Sequence, residues 1–98
     1  MPTGQPVKNR FAKALKYARK ATGRTQEDFS ALSSRTHISA LERGMKTPTL
    51  SKVDDLAEVL DIHPLTLLVM AYSKTMGPGV DDALLSKVTG ELERFFEN

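Results

Sequence analysis

The chain contains no cysteine, which excludes a disulfide scaffold and any thiolate metal site. Its only imidazoles are His37 and His63. Neither has a His, Asp or Glu three or four residues further on, so no metal site is expected. The longest mostly apolar run, Leu65 to Tyr72, falls far short of the roughly 20 residues that span a bilayer. Residues Met1 to Pro6 lack the apolar stretch of a secretory signal, and a cytoplasmic protein is the expectation. Also missing is any motif that pairs a nucleophile with a base or sets two carboxylates in one pocket, so neither an enzyme nor a cofactor is expected. No sensor domain is recognisable, and a small-molecule inducer is not expected.

At 98 residues, with 40% apolar and 27% charged side chains, the chain is long enough for one domain around one core. The net charge of +2 hides a separation. Residues 1 to 53 carry eleven Lys and Arg against Glu27, Asp28 and Glu42, a net +8, while residues 54 to 98 carry three basic side chains against nine acids, a net −6. Solubility alone does not require the signs to be sorted. An anionic partner for the first half is the simpler reason.

The periodicity is helical throughout, and an all-α fold is predicted. After an arm over residues 1–7, a first helix runs from about Val7 to Ala21 with Phe11, Ala14, Leu15 and Ala18 on one face, and Gly23 stops it. A short second helix opens at Thr25 in a Thr-x-x-Asp pattern similar to a capping box and ends near Ala31 or Leu32. Ser33 and Ser34 make the turn, Ser34 caps a third helix from Arg35 to Arg43, and Gly44 terminates it. A fourth helix begins at Pro48 and Thr49 or Ser51, with Val53, Leu56, Ala57 and Leu60 inward. His63-Pro64 opens a fifth, ending near Tyr72. Residues 73–79, with Gly77-Pro78-Gly79, read as a linker, and residues 80–98 as an appended amphipathic helix. Residues 8–72, between the arm and the linker, read as one helical domain.

The third helix carries a polar face that packing does not need. Advancing about 100° per residue puts Ile38 and Leu41 together on the inner side. On the outer side Thr36, Ser39 and Arg43 form a narrow arc, with Arg35 and Ala40 at its margins and His37 near the buried side. Such an arc suits a DNA major groove, where Arg binds guanine O6 and N7, Ser and Thr meet base edges or phosphate, and Ala touches a thymine methyl.

Residues Phe11 to Tyr72 resemble the lambda-repressor/Cro type of helix-turn-helix domain, the Xre family. The resemblance rests on Leu15-x-x-x-Arg19, Thr25-Gln-Glu-Asp-Phe29, Ser34-Arg-Thr-His-Ile-Ser-Ala-Leu-Glu-Arg-Gly44, Pro48-Thr-Leu50 and Leu56-Ala-x-x-Leu60-x-Ile62. It implies a five-helix bundle and dimeric, sequence-specific binding to double-stranded operator DNA by a transcriptional regulator, here read as a repressor. By position it makes Gln26 a phosphate contact and Arg35, Thr36, Ser39 and Ala40 groove-facing. It sets Arg43, Lys46 and Thr47 against the DNA backbone, and gives Arg19 and Glu42 a structural ion pair. His37 is either a contact at the groove edge or a packing residue. Lys8 and Arg10 either extend the phosphate footprint or are solvated charges, and His63 is a capping residue. Between Phe29 and Ser34 the chain is two residues shorter than the family pattern and lacks its turn glycine, which implies a truncated second helix.

The last helix carries Leu85, Val88, Leu92 and Phe95 at seam spacing, flanked by Leu84 and Phe96. This stripe either pairs with a second copy, the favoured expectation, or folds back on the fifth helix. Alternatives to a stand-alone regulator are an antitoxin with a toxin as protein partner, a controller of a restriction-modification or phage operon, and an interaction module that no longer binds DNA.

Overall fold

The computed structural model describes residues 9–74 and 82–97. It is all-α, with helices α1 (Phe11–Ala21), α2 (Arg35–Glu42), α3 (Leu50–Leu60), α4 (Pro64–Tyr72) and α5 (Asp82–Phe96), and a single 3-10 turn over Gln26–Phe29. The arm, the Gly77-Pro78-Gly79 linker and the expected start of the last helix at Val80 lie outside the described residues.

One core joins α1, the 3-10 turn, α2, α3 and α4. Leu15, Phe29, Ile38, Leu41, Leu56, Leu60 and Leu67 are its largest fully buried side chains. Together with Phe11, Ala14 and Ala18 of α1, Val53 and Ala57 of α3 and Ala71 of α4, they place buried residues three and four apart within each of these helices, which turns one apolar stripe inward. Leu32, Val59, Ile62, Leu68 and Met70 pack around that centre. Phe29 is the only large apolar side chain that the 3-10 turn buries, and it anchors a segment too short to bury a helical stripe.

Local chemistry sets the boundaries. α1 begins at Phe11 rather than Val7: the Asn9 side chain accepts from the Phe11 amide at 3.1 Å, and the Arg10 amide donates to the Ala71 carbonyl at 2.6 Å. The Arg10 guanidinium also donates to the Lys74 carbonyl. Arg10 therefore ties the start of α1 to the end of α4, which favours a structural role over a phosphate contact.

α1 ends on Gly23 at φ +72° and α2 on Gly44 at φ +74°. At both ends two amides fold back on the last carbonyls, Arg24 to Arg19 at 2.9 Å with Gly23 to Lys20 at 3.1 Å, and Met45 to Ala40 at 2.9 Å with Gly44 to Leu41 at 3.2 Å. This is the Schellman arrangement, which needs a left-handed residue. α3 closes the same way on Asp61, at φ 59°, without a glycine. Thr49 caps α3 by accepting from the Lys52 amide at 3.1 Å, and His63 Nδ1 caps α4 by accepting from the Leu65 amide at 3.0 Å.

The second helix expected from Thr25 to about Ala31 is reduced to four residues of 3-10 turn. The Thr25 amide donates to the Asp28 carboxylate at 2.7 Å, and the Leu32 and Ser33 amides both return to the Phe29 carbonyl at 2.9 Å. The chain thus closes on Phe29 and leaves directly for α2, as the two-residue shortening implies.

Candidate nucleic-acid interface

Ser34 starts α2: its side chain accepts from the His37 amide at 3.1 Å, satisfying one of the orphan donors of the first turn. With Ile38 and Leu41 buried, the opposite face of α2 is held outward. Gln26, Arg35, Thr36, Ser39 and Arg43 line one polar concavity between the 3-10 turn and α2. Arg35, Thr36 and Arg43 are exposed, and Gln26 and Ser39 are half-buried. Five of the nine residues expected at DNA therefore converge on one surface. Lys46 and Thr47 are exposed on the segment after α2, and His37 is half-buried, none of them lining the concavity.

Ala40 departs from expectation. It is only 7% exposed, because a lone methyl at the margin of the arc ends close to the helix surface. Ala40 is not part of the exposed reading face.

Behind that face Glu42 gathers the surrounding segments. Arg19 grips it with two bonds, Nε to Oε2 at 2.5 Å and Nη2 to Oε1 at 2.9 Å, and Gln26 Nε2 donates to Oε1 at 3.2 Å. Arg19 Nη1 also donates to the Arg24 carbonyl at 3.2 Å. The Arg19 and Glu42 side chains are 12% and 4% exposed, so the pair is well shielded from water. Burial works to raise the Glu42 carboxyl, and the hydrogen bonds from Arg19 and Gln26, helped by the charges of Arg19 and Lys16, outweigh it and hold the group below the ordinary carboxylate range. The hydrogen bond to Glu42 in turn raises the Arg19 guanidinium above its usual value, against the opposing pull of desolvation. Through this network the first residue of the turn and the last of α2 are fixed to the end of α1.

One feature of the face is not legible from the sequence. Glu27 Oε1 lies 3.4 Å from Arg35 Nη1, across the turn, with the two side chains 71% and 70% exposed. A separation of eight positions matches no helical neighbour rule, so only the closure of the turn brings them together.

The geometry is that of two helical segments crossing at a tight turn, the second with a buried back and a polar, basic front. A helix-turn-helix family model matches residues 15–67. The chain belongs to the helix-turn-helix family. Within it the Xre type, a family of DNA-binding transcriptional regulators, accounts for this bundle. A curated relative, an uncharacterized HTH-type transcriptional regulator of Sinorhizobium fredii, is 36% identical over 97 residues, covering 84% of this chain. The chain spans about half, 47%, of that relative's length. The crystal structure of the restriction-modification controller protein C.AhdI from Aeromonas hydrophila superposes with a TM-score of 0.56 at 33% identity, over 59% of this chain and 91% of that one. PrgX, in its complex with iCF10, superposes over 92% of this chain and 32% of its own with a TM-score of 0.62 at 20% identity, a likeness of fold. No described helix is long and apolar enough to cross a membrane.

The expected dimer seam divides in two. Leu84, Leu85 and Val88 line an apolar groove with Leu65, Val69 and Tyr72 of α4, so the first part of α5 leans on the bundle. Beyond it Leu92, Phe95 and Phe96 are 52%, 73% and 81% exposed, and α5 has no buried residue. The first half of the stripe thus folds back toward α4, and the second half is uncovered.

Proposed function

We propose that the protein is a repressor that binds a palindromic operator as a homodimer, laying α2 of each subunit in the major groove. The observation that carries this reading is the convergence of Gln26, Arg35, Thr36, Ser39 and Arg43 on one polar surface beside a buried apolar back. Arg35, at the first position of α2, is the base-reading arginine, and its bidentate pairing with guanine would discriminate by roughly 1 to 3 kcal/mol. Thr36 and Ser39 meet base edges, with His37 at the groove edge. Gln26, held by Glu42, presents the start of the turn to phosphate, and Arg43, Lys46 and Thr47 follow the backbone. These contacts set affinity and its salt dependence while the groove contacts set sequence choice. The uncovered half of α5 pairs with its mate, so that two α2 helices address half-sites about 34 Å apart.

Selection of bound duplexes from a random library at physiological salt tests this. A palindromic motif with half-sites one turn apart is expected, and recovery of no motif would refute operator binding by the isolated protein. On the selected site Arg35→Ala should lose far more affinity than on random DNA. Equal losses on both would reduce Arg35 to a phosphate contact.

The restriction-modification controller reading is favoured by one observation, the superposition on C.AhdI at 33% identity over nearly the whole of that chain. Under it the operator lies beside the genes of a restriction-modification system. Placing the selected motif on the genome distinguishes the two readings.

A further inference from the structure

Residues 1 to 53 contain three acids against eleven basic side chains, and the structure gives two of the three a clear structural task. Asp28 accepts from the Thr25 amide, and Glu42 is buried under Arg19 and Gln26. Glu27 is left, 71% exposed, with its Oε1 3.4 Å from Arg35 Nη1 at the rim of the reading face. A carboxylate there opposes every phosphate that approaches, and as an exposed ion pair it does little for folding. We propose that Glu27 is a positioning and specificity-determining residue that acts on DNA through Arg35.

The atoms involved give the reason. A guanidinium offers two donor forks, one from Nη1 and Nη2 and one from Nε and Nη2. Glu27 engages Nη1, which biases Arg35 to present the Nε and Nη2 fork, clear of the carboxylate, to the O6 and N7 acceptors of a guanine. The same carboxylate repels the phosphate oxygen that would otherwise satisfy Arg35 without any base being read. Glu27 thus lowers affinity for DNA in general and sharpens the choice of base, discrimination gained by opposing the wrong partner.

This inference rests on the operator-binding reading, and the test separates the two. Wild type, Glu27→Ala, Glu27→Gln and Arg35→Ala are each put through random-library selection. Binding is then titrated against salt on the selected site, on the site altered at the position whose preference Arg35→Ala abolishes, and on random DNA. Glu27→Ala should bind random DNA several-fold tighter, with a salt slope steeper by about 0.9 as Arg35 turns to phosphate. Its preference for guanine at the Arg35 position should fall by roughly tenfold, the scale of one bidentate pair. Glu27→Gln, which keeps an acceptor oxygen without the charge, should gain affinity for random DNA yet retain part of the base preference. In an Arg35→Ala background the Glu27 substitutions should leave base preference unchanged. Unchanged guanine preference in Glu27→Ala, with a wild-type motif still recovered, would overturn this inference alone, as would an equal effect of Glu27→Ala when Arg35 is absent. If the wild type selects no motif, operator binding fails and the role of Glu27 fails with it.

Discussion

The carboxylate of Glu42 connects parts of the chain that lie far apart in sequence, and its environment is specific enough to test at the level of a single atom. Removing it as Glu42→Ala leaves the Arg19 guanidinium, 12% exposed, without its partner, and a loss of about 3 to 5 kcal/mol in urea unfolding is expected. Because the folded carboxyl titrates below its ordinary value, the unfolded chain takes up the proton first. The contribution is fully present above the ordinary glutamate value of about 4.3 and is lost as pH falls through the folded value. Thermal unfolding between pH 6 and about 3 should therefore show a steeper acid decline in the wild type than in Glu42→Gln. Asp61 offers a second test at this scale. It sits at φ 59°, where a short polar side chain is tolerated and a β-branched one is not. Asp61→Val should cost about 1 to 2 kcal/mol, whereas Asp61→Gly should stay within about 0.5 kcal/mol of wild type as relief of strain offsets added unfolded-state freedom.

α2 is the element on which function turns, and it is only eight residues long. A helix this short is not stable on its own, so its ends carry more than their usual share. Loss of the Ser34 oxygen in Ser34→Ala should cost about 1 kcal/mol, read by denaturant titration, and should lower DNA affinity beyond the fraction unfolded by fraying Arg35 and Thr36. Both ends are legible in the sequence, since Ser34 and Gly44 act on amides and carbonyls within a few residues of themselves. The segment before α2 is harder to read. Its shortening is visible by comparison with the family pattern, but whether Gln26–Phe29 forms an α-helix or a 3-10 turn depends on where Phe29 finds its pocket in the core. Ala40 fails for a related reason. The helical wheel gives its direction within α2 correctly as marginal, yet cannot say how far neighbouring chain rises around a single methyl.

At the scale of the whole molecule, the charge separation and the divided α5 stripe bear on assembly. Leu92, Phe95 and Phe96 form an uncovered apolar end on a helix that otherwise only leans on α4, and exposed apolar clusters of this kind mark contact surfaces. Leu92→Asp should yield a monomer with helical content and bundle stability unchanged, as read by sedimentation and circular dichroism. A dimer that survived this change would place the interface elsewhere. The monomer should also lose cooperative binding to a two-half-site operator while keeping weak binding to one half.

The sequence by itself determined the all-α class, the caps at Ser34 and His63, the stops at Gly23 and Gly44, the inward stripes and the polar front of α2. Each is set by interactions that reach no further than one or two helical turns, so a residue and its near neighbours suffice to specify it. Only the tertiary structure decided that Glu27 meets Arg35, that Gln26 is tethered to Glu42, that Ala40 sinks beneath the reading face, and that α5 is half docked and half bare. Those outcomes depend on the angles at which whole helices settle against a shared core, and the periodicity of a single helix carries no record of its neighbours.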